Sequence, residues 1–153
     1  MAPRPIDYTR AVVYKIVCRD TLVTDKYVGS TTNLRGRRAS HKHRCNNPER
    51  KEYNYFVYQF IRDHGGFENW QVVSIEENIV GCLSSDMLHA RERYWIETLQ
   101  AELNKRVPTR THKEWCEDNR EHILVKMKQY RALNKDKIKE KQREMRALKK
   151  QIH

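Results

Sequence analysis

The sequence predicts an α+β fold: a small three-stranded antiparallel sheet flanked by helices, followed by a long basic C-terminal helix. Three observations carry this. Two short β-forming runs, at about 11–18 and 26–30, are joined by a polar connection, and Trp70-Gln71-Val72-Val73-Ser74-Ile75 alternates as a third strand should. Segments with helical apolar spacing lie between and after these runs. Residues 109–153 contain neither glycine nor proline, so nothing in them punctuates a helix.

Taken in order, residues 1–9 are polar with prolines and read as a loose lead-in. Ala11-Val12-Val13-Tyr14-Lys15-Ile16-Val17 forms the first strand, and Lys26-Tyr27-Val28-Gly29-Ser30 the second. Thr32 or Asn33 caps a strongly basic helix, which Asn46-Asn47-Pro48 breaks. A second helix runs from about Asn54 to His64, with Phe56, Val57, Phe60 and Ile61 as its apolar face, and Gly65-Gly66 ends it. After the third strand, Ser84 or Ser85 opens a third helix that runs to about Leu99. Met87, Ala90, Tyr94, Ile96 and Leu99 are its expected inward side. Residues 105–111 read as a link. The domain plan is therefore a lead-in over 1–9, a folded domain over 10–108 and a basic helical extension over 109–153.

Composition narrows the function. The chain has 153 residues with 31 Lys+Arg against 20 Asp+Glu, a net charge of +11, which favours polyanionic partners. No apolar run approaches the roughly 20 residues of a membrane span, and the N-terminus lacks a signal-peptide core. A soluble intracellular protein of the cytoplasm or nucleus, not secreted and with no membrane partner, is expected. Cys18, Cys45, Cys82 and Cys116 form no Cys-x-x-Cys pair, so they read as reduced thiols rather than a zinc ribbon.

The chemistry-bearing residues cluster early. Val12-Val13-Tyr14, then Tyr27-Val28-Gly29, then Asn33-Leu34-x-x-Arg37-x-x-x-His41 place two phenols, a fixed cation and an imidazole at the ends of neighbouring elements. Arg37 and His41, four apart, share a helix face. Downstream come Arg91-Glu92-Arg93-Tyr94-Trp95-Ile96 and Leu103-Asn104. This order of motifs, over roughly 11–107, resembles the GIY-YIG nuclease family. Val12 stands where the family's first triplet has glycine, which bears on local packing more than on Tyr14. The resemblance implies a metal-dependent DNA endonuclease, of the small stand-alone kind found in phages and large DNA viruses, sometimes as mobile, homing-type elements.

It also implies roles. Glu92 would be the metal carboxylate for one Mg²⁺ (or Mn²⁺) ion; by itself it would read as a surface ion-pair residue. Tyr14 and Tyr27 would face the site and take the attacking water's proton. The sequence leaves the base to the pair, leaning to Tyr14, and strand tyrosines also serve as core. Arg37 would bind a non-bridging phosphate oxygen, His41 would touch the phosphate or hold a tyrosine hydroxyl, and Asn104 would pin the metal-carboxylate helix or a site loop by hydrogen bonds. Gly29 is structural. Ser30, Thr31, Arg35, Arg38, Lys42 and Arg44, with Lys135, Lys139 and Arg146 in the extension, are candidate DNA contacts.

The extension holds 14 Lys+Arg against 7 Asp+Glu. It carries a 15-residue repeat, in which Arg131-Ala132-Leu133 recurs as Arg146-Ala147-Leu148, Asn119 answers Asn134 and Ile123 answers Ile138. Its stripe, Trp115, Asn119, Ile123, Met127, Tyr130, Asn134, Ile138, Gln142, Met145, advances in steps of 4-4-4-3. That exceeds 3.6 residues per turn, so a packed pair would form a right-handed coiled coil. A DNA-contacting arm, a solvated helix and a homo-oligomer seam are the readings in play. For the whole chain, the alternatives to a nuclease are an inactive nucleic-acid-binding protein and a helix-mediated scaffold.

Overall fold

The structure, a computed structural model, describes residues 5–151. Residues 1–4 of the lead-in, and the side chain of Leu148 in the repeat, lie outside that description. The chain divides into two compact units, 1–109 and 110–153.

In the first unit, β1 (Val12–Cys18) is the central strand of an antiparallel sheet of order β2-β1-β3, with β2 at Lys26–Thr31 and β3 at Trp70–Glu77. Strand alternation divides the core in two. Tyr14, Ile16 and Cys18 face one side, where α1 (Leu34–Asn46) and α2 (Phe56–Asp63) contribute Cys45, Val57, Tyr58 and Ile61. Ala11, Val13 and Val28 face the other, against Leu88 and Ile96 of α3 (Ser85–Thr98). The sheet is thus covered on both faces.

The local signals explain the boundaries. Asn33 caps α1, its side chain accepting from Gly36 N, and Ser84 caps α3 by accepting from Met87 N. After α2, Gly65 and Gly66 take φ of 90° and 73°, and Gly66 N bonds Ile61 O, the left-handed exit that glycine permits at a helix end.

Two helix faces differ from the sequence expectation. On α3, Met87, Ala90 and Tyr94 are exposed and Leu99 is half-buried, while Leu88 and Ile96 are buried. The apolar residues Met87 and Tyr94 mark one stripe and Leu88, Trp95 and Ile96 another, one residue on. The sheet took the second. On α2, Phe56 is 43% exposed and Tyr58 only 3%.

A β-bulge decides the phase of α3. Val13 pairs Glu76 but Tyr14 pairs Ser74, so β3 carries an extra residue at Ile75. The bulge keeps both Ile75 and Glu76 on the α3 side. There Glu76 accepts two bonds at 2.8 Å from Arg91 and one at 2.6 Å from Trp95 Nε1. This locks the helix that carries Glu92.

In the second unit the expected unbroken helix is three: α4 (His112–Asp118), α5 (Arg120–Leu133) and α6 (Lys135–Gln151). The interruptions fall on Asn119 and Asn134. Each takes ψ near zero, and its side-chain amide donates to the carbonyl four residues back, Trp115 at 2.8 Å and Tyr130 at 2.9 Å. Asparagine competes with the backbone for such carbonyls. The i to i−4 backbone bonds run through both positions, so these are local distortions of a helical path, repeated with the 15-residue period.

Candidate active site

The site forms around β2, an edge strand reached from both faces. Tyr27 projects to the α1–α2 side and Ser30 to the α3 side, as alternation requires. Tyr14 lies on β1 opposite Gly29. A Cβ on Gly29 would stand 2.5 Å from the Tyr14 hydroxyl and 3.0 Å from the Tyr27 ring, so the absence of a side chain at 29 lets both phenols occupy their places.

His41, on α1, is 3% exposed. Its Nε2 is 2.7 Å from the Tyr14 hydroxyl and its Nδ1 is 2.9 Å from the Tyr58 hydroxyl. The Tyr27 ring meets it edge-on at 5.6 Å. Burial, with Arg37 and Arg44 nearby, depresses the imidazole pKa to about 3, so His41 is neutral at physiological pH. A neutral ring donates from one nitrogen and accepts at the other. One phenol therefore gives it a proton and the other receives one. Burial also raises the Tyr14 phenol well above its usual range and pushes Tyr27 up to about 12.

Ser30 joins the two sides. Its hydroxyl donates to Glu92 Oε2 at 2.5 Å, and its carbonyl accepts from Arg37 Nη2 at 3.3 Å. Arg37 Nε is buried with no partner, an unmet donor beside the carboxylate. Burial lifts the Glu92 carboxyl above the usual range, against the lowering by Ser30, His89 and Arg37.

Asn104 binds β2 rather than the α3 helix. Its Oδ1 accepts from Val28 N and its Nδ2 donates to Val28 O, both at 2.8 Å. With Leu103 N on Lys26 O, the 103–104 segment holds the outer edge of β2.

The other candidates divide. Thr31 caps the Asn33 amide with its hydroxyl. Arg35 and Arg38 are exposed on α1. Lys42 pairs with Glu68 at 2.5 Å. Arg44 is half-buried near Glu52 and lines a cavity of about 720 Å³ together with Tyr27, Arg37, His41, Glu92 and Asn104. Lys135, Lys139 and Arg146 are exposed on α6, in the second unit. Sequence reasoning passed over Tyr58, the second partner of His41. Its one signal was its place beside Val57 and one turn before Ile61, both buried.

The donor set bears on the divalent ion that the resemblance implies. Among the described residues no three His, Cys, Asp or Glu side chains gather, so no all-protein cage exists. Glu92 borders the cavity and makes no ion pair among the described residues. A lone carboxylate with water and phosphate oxygens completing the shell suits Mg²⁺, and a cation there would offset the burial that raises the Glu92 carboxyl. The residues fit such an ion.

No helix among the described residues is long and apolar enough to cross a membrane. A family model described as the GIY-YIG catalytic domain matches residues 10–106. No curated protein and no solved structure matches the chain.

Proposed function

The chain belongs to the GIY-YIG catalytic-domain family of nucleases, and we propose that it is a metal-dependent DNA endonuclease. The observation that carries this reading is the convergence of Tyr14, Tyr27, Arg37, His41 and Glu92 from four separate elements around one cavity-bordered edge.

Arg37 binds a non-bridging oxygen of the scissile phosphate through its unmet Nε–H and stabilises charge as it develops there. Tyr27 opens on the cavity and orients the attacking water. Proton removal falls to Tyr14 and His41, because, of Tyr14 and Tyr27, it is Tyr14 whose hydroxyl is hydrogen-bonded to the imidazole. As the water gives its proton to Tyr14 Oη, the Tyr14 proton passes to His41 Nε2. A bound phosphate would offset Arg37 and Arg44, two of the causes that depress His41, and so restore part of its basicity. Tyr14 is fully buried in the free protein, so the side chains over it yield when substrate seats, as catalytic contacts often tighten only then.

Glu92 would hold the divalent ion, which supplies charge neutralisation at the phosphate and the leaving oxygen. Asn104 keeps Tyr27 in place through the β2 edge.

The test is incubation of supercoiled plasmid with Mg²⁺ or EDTA, comparing wild type with Glu92→Ala. Nicking by wild type in Mg²⁺ alone is expected, with none from the variant. Full nicking by pure Glu92→Ala protein would sink the proposal.

A further inference from the structure

The cavity extends beyond what phosphate chemistry needs. Its inner end holds Tyr27, Arg37, His41 and Glu92. Its outer wall is built by the start of α2 and by residues 105–108, and carries aromatic and apolar surface. Tyr55 is 53% exposed, and among the described residues no ring or cation contacts it. Phe56 is 43% exposed, with Lys105 Nζ 3.9 Å from its ring centre. Arg106 and Pro108 continue this wall, and Arg44 faces the same space.

A paired duplex exposes phosphates and, in its grooves, base edges, but keeps the flat base faces inside the stack. Cations serve its backbone, and an exposed ring finds no base face on it to stack against. An unpaired nucleotide presents the flat face of a base beside its phosphates, which is what a ring set among cations recognises. The volume, about 720 Å³, lies in the range of small-ligand cavities, roughly 300–1,000 Å³. A phosphate group alone would fill a small part of it.

We propose that the outer part of this cavity holds one unpaired nucleobase of the strand being cut, stacked on the exposed ring of Tyr55, with Lys105, Arg106 and Arg44 on its flanking phosphates. The placement of that strand rests on the nuclease reading above. The substrate class is then DNA with a nucleotide out of the stack next to the scissile bond, rather than continuous duplex.

The test uses the full chain in EDTA, where nothing is cut. The probe is a duplex carrying 2-aminopurine, either paired or unpaired opposite a gap in the partner strand. Wild type is expected to bind the unpaired form about tenfold more tightly and to quench its fluorescence. Tyr55→Ala should lose both effects, and Tyr55→Phe should keep them. Equal affinity for the two duplexes in wild type, or a preference that survives in Tyr55→Ala, overturns the proposal. Plasmid nicking in Mg²⁺ separates the two ideas. A protein that nicks without this preference loses the base pocket and keeps the nuclease reading. One that shows the Tyr55-dependent preference without nicking does the reverse.

Discussion

Arg37 and Arg38 are neighbours on one helix, yet only Arg37 is tied to the site, through Ser30 O, with a buried Nε left unmet. A lysine keeps charge but lacks the planar fork. Arg37→Lys should therefore cost about 100-fold or more in cleavage rate, while Arg38→Lys stays within experimental scatter. Equal small losses at both positions would reduce α1 to an electrostatic surface. Gly29 offers a test that removes no functional group. The Cβ of Gly29→Ala would meet the Tyr14 hydroxyl, and displacing that phenol should slow cleavage by about 100-fold. His41 ties the site to stability. Its pKa falls from 6.5 in the unfolded chain to about 3 in the fold, so between those values the unfolded state binds more protons. Stability is then whole above pH 6.5 and is lost as pH falls toward 3, at ~1.4 kcal/mol per pH unit. The raised carboxyl of Glu92 works in the opposite sense, since the folded state there holds its proton longer. Urea denaturation at pH 7 and pH 5, wild type beside His41→Gln, isolates the histidine: the variant should lose less stability on acidification. The same slope in both would show that His41 is not the buried neutral group described here.

At the level of elements, the sheet edge is where stability and function meet. β2 carries Tyr27, Gly29 and Ser30, and its outer side is held by Asn104 and Leu103. Asn104→Ala removes two hydrogen bonds to Val28 and should cost about 2 kcal/mol, read as a lower melting temperature together with slower cleavage. A full loss of activity with unchanged melting would instead place Asn104 on the substrate. The strands, the caps at Asn33 and Ser84 and the Gly65-Gly66 stop were legible in the sequence, because each is set by local chemistry: alternation, a capping oxygen, a left-handed exit. The early motifs also named residues that the fold does bring together, Tyr14 with His41 and Arg37 with the Ser30–Glu92 pair. What was not legible depended on distant partners. The phase of α3 follows from the bulge at Ile75 and the grip of Glu76 on Arg91 and Trp95, and helical periodicity cannot see a bulge in another element. Tyr58 was hidden because an aromatic beside Val57 reads as core until its hydroxyl is placed on His41. The breaks at Asn119 and Asn134 were hidden because neither glycine nor proline marks them.

At the scale of the whole molecule, the chemistry and the charge lie in different units. Every candidate catalytic residue is within 1–109, while residues 109–153 carry a net +7 of the total +11. In the second unit Asn119, Ile123, Asn134 and Ile138 are half-buried, and Trp115, Met127, Tyr130 and Met145 of the same stripe stay exposed. A 1–109 fragment should fold and keep Mg²⁺-dependent nicking, because the first unit has its own two-sided core. It should bind DNA more weakly and with a shallower dependence on salt, since each phosphate contact removed lowers the slope by about 0.9. The competing account makes the stripe a seam between copies of the chain. Truncation would then lower the number of protomers per particle in light scattering, and the lost activity would follow protein concentration rather than salt. Binding across a salt series, with scattering on both proteins, separates the two. An unchanged salt slope with fewer protomers per particle would reject the DNA-contacting arm. A shallower slope with the number of protomers unchanged would assign the extension to the phosphate backbone.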